Sequence, residues 1–171
     1  MSAWQDIGDA VQREFSDLPD AGSVVRIAVR LLIAGILGGI LGVERQHKGK
    51  AAGMRTHMLV AIGAALFVLV PQQAGVGDGD LTRVLQGLVA GIGFLCAGTI
   101  IKGKEEDQIK GLTTAAGLWL TAAVGVAAGM GRQGTAIFST LLAFAVLHTF
   151  PQLARRFEND RGTPSERGPH G

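Results

Sequence analysis

Five blocks of apolar residues, separated by short polar stretches, run along this chain at 24–43, 57–72, 84–101, 112–130 and 134–150. A membrane-crossing helix needs about 20 mostly apolar residues, and each block approaches that length. The second, with Pro71 near its end, and the fifth, stopped by Pro151, are the weakest of the five. Five in a row do not suit a small soluble domain. The pattern predicts an all-α polytopic membrane protein with five transmembrane helices in one domain over 24–150. Ahead of them, Trp4, Ile7, Val11, Phe15 and Leu18 recur at spacings of three and four, one apolar helical stripe. Residues 1–23 are therefore expected to form an amphipathic helix on the outer membrane surface or on the bundle, closed by a turn at 19–23. Its acidic residues Asp6, Asp9, Glu14, Asp17 and Asp20 make packing on protein the preferred expectation. The polar stretch 151–171 reads as a disordered tail.

Positive charge gives this topology a direction. Arg45, Lys48, Lys50 and Arg55 follow the first block, Lys102, Lys104 and Lys110 follow the third, and Arg155, Arg156, Arg161 and Arg167 follow the fifth. The other side has Arg13, Arg83 and Arg132, with Arg26 near the start of the first block. Cytoplasmic loops carry the excess of Lys and Arg, so the C-terminus is expected in the cytoplasm and the N-terminus outside, as an odd number of spans requires.

Composition sharpens the reading. Of 171 residues, 47% are hydrophobic, 18% are charged and 26 are glycine. In a lipid-embedded bundle, small residues let helix backbones approach closely. Thr113, Gly117, Thr121, Gly125 and Gly129 are spaced by four; Gly35 pairs in this way with Gly39, Gly38 with Gly42, Gly87 with Gly91, and Gly93 with Ala97. With Gly98, these positions predict contacts within the bundle or across a homodimer. The net charge of +2, without a basic block interleaved with aromatics, gives no support to nucleic-acid binding. The one cysteine, Cys96, excludes an internal disulfide and is read as a packing residue. No secretory signal pattern opens the chain.

Candidate chemistry lies at the membrane edges, because the apolar blocks contain no Asp or Glu. Magnesium sites are built mainly from carboxylate and water oxygens and proton relays use Asp, Glu or His, so this chain alone is a poor cation pump. Backbone carbonyls remain available to line a path. Arg30 lies one helical turn beyond Arg26 on the same face, about 9 Å into the first span. It either snorkels outward or faces a polar cavity with Thr99, Thr113 or Trp119. At the other end of that span, Glu44, Arg45, Arg55, Thr56 and His57 bracket a short loop, with Glu44 expected to pair with Arg55. The alternatives there are ordinary basic anchoring, or a docking surface or ion-sensing site. The stretch Gly77-Asp78-Gly79-Asp80 offers a weak divalent-ion site at most, but it lacks the rest of a calcium loop and reads as a solvated turn. No metal-ligand spacing and no nucleophile–base–acid arrangement stands out, so neither a resident metal nor an enzyme is expected.

Three segments then carry a family resemblance. They are Arg30-Leu31-Leu32-Ile33-Ala34 leading to Gly42-Val43-Glu44-Arg45-Gln46; Ala52-Gly53-Met54-Arg55-Thr56-His57-Met58-Leu59-Val60; and Gly91-Ile92-Gly93-Phe94-Leu95-Cys96-Ala97-Gly98-Thr99 followed by Lys110-Gly111-Leu112-Thr113-Thr114-Ala115-Ala116-Gly117-Leu118-Trp119. In order and spacing the chain resembles the MgtC/SapB family of bacterial inner-membrane proteins, over roughly residues 26–150. The resemblance implies a multi-pass plasma-membrane protein of magnesium homeostasis. It acts either by binding or regulating another membrane protein, such as a transporter or the ATP synthase, or as a channel or transporter for Mg²⁺ or a related small solute. Arg30, Glu44, Arg45, Gly53, Arg55, Thr56, Gly93, Gly98, Gly111, Thr114 and Trp119 fall on the family's signature positions. The chain departs from the virulence branch at Thr113, where Asn is common, at Leu120, where Cys is common, and at Cys96, where Gly is usual. Longer members also carry an ACT-type cytoplasmic domain, so the short SapB-like branch is the expected placement.

Overall fold

A computed structural model describes residues 3–14, 20–101 and 110–161, which form six helices and no strand. These are α1 (Ala3–Glu14), α2 (Ala21–His47), α3 (Met54–Gln73), α4 (Asp78–Ile101), α5 (Leu112–Gly129) and α6 (Gln133–Arg161). Helices α2 to α5 are each long and apolar enough to cross a membrane. The apolar part of α6, Gln133–Thr149, falls just short of that length.

The helix ends follow from local chemistry. The Asp20 carboxylate accepts the Ser23 backbone N–H at 2.8 Å and the Ser23 hydroxyl at 2.8 Å, which caps α2 and holds the Asp20 carboxyl below its ordinary range. Between α2 and α3 the chain turns through Gly49 at φ +62°, a left-handed conformation open to glycine. No side chain of its own N-cap, Gly53, serves α3. Instead Gln46 Oε1, reaching back from α2, accepts the Met54 N–H at 3.2 Å. Gly111 starts α5 at φ +103°, close against the Thr99 carbonyl at the end of α4.

Helix α5 is the centre of the bundle, packing against α2, α3, α4 and α6, while α3 also packs against α2 and α4, and α2 against α6. The contacts are backbone-close where glycine permits. A Cβ on Gly38 would lie 2.6 Å from the His57 carbonyl oxygen, one on Gly42 2.5 Å from Met54 Cα, and one on Gly129 2.6 Å from the Ala65 carbonyl oxygen. One on Gly125 would collide with the Ala61 carbonyl. Gly35 and Gly39 face the side chains of Ile62 and Met58. Ala34, Leu37, Ala61, Ala65, Val124, Ala128 and Ala136 fill the resulting core.

Several expectations change. Pro151 does not stop the last helix, since α6 continues to Arg161; residues 162–171 of the expected tail lie outside the described residues, as do Phe15 and Leu18 of the N-terminal stripe. Helix α1 packs against no other described helix, and its Trp4, Ile7 and Val11 are exposed, against the expectation of docking on protein. Asp78 and Asp80 form no separate turn; they occupy the first turn of α4, where negative charge complements the helix dipole. Among the described residues nothing comes within 4 Å of a Cβ built on Gly87, Gly91, Gly93 or Gly98, because α4 is peripheral and these positions are exposed.

Candidate functional site

The polar residues singled out in the sequence separate into two ends of the bundle. Glu44 lies fourteen residues beyond Arg30 on α2, about 21 Å along the helix at ~1.5 Å per residue.

At the Arg30 end, the Arg30 guanidinium donates to the Gly129 carbonyl at 2.8 Å and to Gln72 Oε1 at 3.3 Å. A cation on the last turn of α5 satisfies a carbonyl that the helix itself leaves open and complements its dipole. Gly131 (φ +78°) follows, and a Cβ there would strike the guanidinium at 2.7 Å. Arg30 therefore caps a neighbouring helix, and Thr99, Thr113 and Trp119 take no part. Thr99 bonds the Cys96 carbonyl within α4 at 2.8 Å. Thr113 lies far along α5, and Trp119 is half-exposed beside Leu88 and Ile92 of α4.

At the opposite end, Glu44 and Arg45 are buried, at 8% and 2% exposure, and His57 is wholly buried. Gly42 and Gly38 bring this about, since without side chains they let the first turn of α3 lie directly on α2. Glu44 does not pair with Arg55. Its carboxylate forms ion pairs with Lys48, one turn along α2, and with Arg45 at 3.7 Å. Arg55 is exposed and Thr56 half-buried. Lys48 also donates to the Leu147 carbonyl of α6 at 2.7 Å, tying α2 to α6. Buried Thr114 lies in the first turn of α5.

The sequence signal did not reveal three participants. Lys48 looked like one more anchoring cation, although its i,i+4 spacing from Glu44 favours pairing. Gln46 looked like loop, although a side-chain acceptor is what an uncapped α3 requires. Ser139 of α6, which lines the space beside His57, showed no signal at all.

The His57 ring has two unlike nitrogens. Nδ1 lies 3.0 Å from the Gly53 carbonyl oxygen; Nε2 is buried with no hydrogen-bond partner. Around this cluster the helices leave a groove of about 690 Å³ between α2, α3 and α6 and a cavity of about 350 Å³ beside His57. Among the described residues no three His, Cys, Asp or Glu side chains converge as metal ligands.

The MgtC family model matches residues 31–156, which hold all of these groups except Arg30. The chain belongs to the MgtC family. As a family member with several long apolar helices, it is a multi-pass membrane protein. Protein SrpB of Synechococcus elongatus is 41% identical over 146 residues, covering 78% of this chain and 80% of that protein. The "Putative magnesium transporter YhiD" of Escherichia coli K12 is 40% identical over 139 residues, 77% of this chain and 63% of that protein. Protein MgtC of Brucella abortus is 48% identical over 111 residues, 65% of this chain and 45% of that protein. The family member thus spans most of SrpB but less than two thirds of the other two. No solved structure matches it.

Proposed function

We propose that this chain is an inner-membrane protein of magnesium homeostasis that acts by binding or regulating another membrane protein. The names of its MgtC and YhiD relatives supply the link to magnesium. The observation that carries the regulatory part is the engagement of its buried carboxylate and of two buried hydroxyls. Glu44, the buried carboxylate among the described residues, is neutralised at the membrane edge by Lys48 and Arg45. The buried hydroxyls of Thr121 and Thr140 donate to carbonyls of their own helices, those of Gly117 and Ala136, at 2.8 Å each. A Mg²⁺ ion requires several oxygen ligands in octahedral array, and these residues do not fit one. A homodimer through the outward glycines of α4 belongs to the same reading, since such faces permit close helix contact.

The test is Mg²⁺ flux into proteoliposomes of the purified protein, paired with magnesium-limited growth of a strain lacking it. The expected result is no uptake above empty vesicles, with growth restored by the wild type and not by Glu44→Gln at equal membrane abundance. Saturable uptake by the purified protein alone would make it a transporter.

A further inference from the structure

His57 Nε2 is a buried polar atom without a partner, and such atoms are rare enough in folded proteins to require a reason. The other ring nitrogen fixes its character. A carbonyl oxygen only accepts, so Nδ1, 3.0 Å from Gly53 O, carries the hydrogen, and Nε2 of the neutral ring is a bare acceptor. It faces the cavity of about 350 Å³ between α2, α3, α5 and α6, whose mostly apolar walls include Leu41, Leu120, Leu142 and Val146, with Thr113 and Ser139 as the other polar residues of the lining. That size lies within the ordinary range for small-molecule sites, which combine apolar walls with a few placed polar groups. Between α5 and α6 the lining residues Ala116, Leu142 and Val146 are exposed, so the cavity opens sideways, toward lipid in a spanning bundle.

Gly117 adds an independent observation. The packing glycines Gly38, Gly42, Gly125 and Gly129 have no room for a methyl group. At Gly117 a Cβ meets a single neighbour, His57 Nε2, at 3.6 Å, an ordinary contact distance. Packing does not require glycine there, yet an alanine methyl would cover the acceptor.

We infer that the cavity beside His57 binds an uncharged, lipid-soluble molecule through one hydroxyl group, which donates a hydrogen bond to Nε2 while the hydrocarbon part fills the apolar walls. The ligand is uncharged because the lining around His57 holds no ionic partner for it. Entry is from the bilayer, through the gap between α5 and α6. This site stands apart from the proposed regulatory role and does not depend on it.

The experiment uses the full chain, with ¹⁵N-labelled histidine, in lipid nanodiscs. The probes are 4-butylphenol and butylbenzene, alike in shape but only the first with a donor. The chain has four histidines, and His57→Phe assigns the His57 signal by its loss. The expected result is a saturable shift of the His57 Nε2 resonance with the phenol, and binding of butylbenzene about tenfold weaker, the share of one neutral hydrogen bond. Gly117→Ala is expected to keep the folded spectrum and lose the phenol-dependent shift. No saturable shift in the wild type would overturn the inference and leave water as the partner of Nε2. Equal binding of the two probes, or a shift that survives in folded Gly117→Ala, would overturn it as well.

Discussion

Replacing Gly42 by alanine tests the contact that buries the Glu44–Arg45–His57 cluster. The new Cβ would lie 2.5 Å from Met54 Cα and 3.0 Å from both the Gly53 carbonyl oxygen and His57 Cβ. Carbon atoms pack best at about 3.5–4.0 Å, so α2 and α3 must separate by roughly 1 Å at this end. Two of the struck atoms are backbone, and no rotamer change relieves them. Overpacking of this kind costs about 1–3 kcal/mol, and this site belongs at the upper end. The gain in helix propensity from Gly to Ala is about 1 kcal/mol, leaving a net loss of about 2 kcal/mol. Gly63→Ala on α3, away from the outward glycines of α4, meets no atom within 4 Å, so the propensity gain stands alone and stability is unchanged or raised by up to about 1 kcal/mol. The chain supplies its own reporter, because its one cysteine, Cys96, is buried. Thermal unfolding in detergent is followed by reaction of Cys96 with a fluorogenic maleimide. Gly42→Ala should expose the thiol at a lower temperature than wild type, and Gly63→Ala should not. If Gly42→Ala unfolds at or above the wild-type temperature, the close α2–α3 contact is wrong.

Glu44→Gln leaves the Arg45 guanidinium buried without its counter-charge, and breaking such a pair costs about 3–5 kcal/mol; Arg55→Ala, at an exposed position, should leave the same unfolding midpoint nearly unmoved. Exchanging Glu44 and Arg55 should fail to restore what Glu44→Gln loses, and recovery in that double variant would return Arg55 to the site. Arg30→Gln should lower stability by about 1–2 kcal/mol through loss of the cap on α5, with the faster amide exchange confined to the last turn of α5 and the start of α6. Asp20 carries a pH signature. Its carboxyl is held below the ordinary aspartate value of 3.8, first by the Ser23 backbone N–H, so its stabilisation of the α2 start is complete above that value and is lost as pH falls through the lowered one. Exchange at the Ser23 amide should therefore accelerate, beyond the intrinsic pH dependence, below about pH 4 in wild type and show no such step in Asp20→Ala.

The helical membrane architecture was legible because hydrophobic length is a local property, and so was the dense polar stretch around Glu44 and His57 between two apolar runs. What the pattern could not carry was partnership. Glu44 and Arg55 flank one loop and suggested a pair, but the turn through Gly49 swings Arg55 outward while Lys48 sits one helical turn from the carboxylate. Arg30 takes its partner from residue 129, a separation no periodicity encodes. The glycine spacings of α4 and α5 looked alike, yet among the described residues only Gly125 and Gly129 of α5 are closed over by a neighbouring backbone, because α5 is central and α4 peripheral. Pro151 misled as a stop, since a helix that has already turned many times can continue past a proline by giving up one backbone bond.

The central place of α5 also bears on how the protein is made. Chains emerge from the ribosome N-terminus first. The α2–α3 hairpin can begin to close once the first turns of α3 have been synthesised, since only a short loop joins the two helices and Gly42 and Gly38 meet Met54 and Ala61. Helix α4 then enters the bilayer with only a partial seat on α3, and the Gly111 junction with Thr99 forms only when the next helix arrives. During that interval four helices have been made but the keystone is missing, and the outward glycines of α4 are joined by the still uncovered backbone of α3 at Ala61 and Ala65. Biogenesis of this bundle is therefore most vulnerable just before its fifth helix is inserted, the stage at which an insertase or chaperone holding α3 and α4 would have most effect on yield.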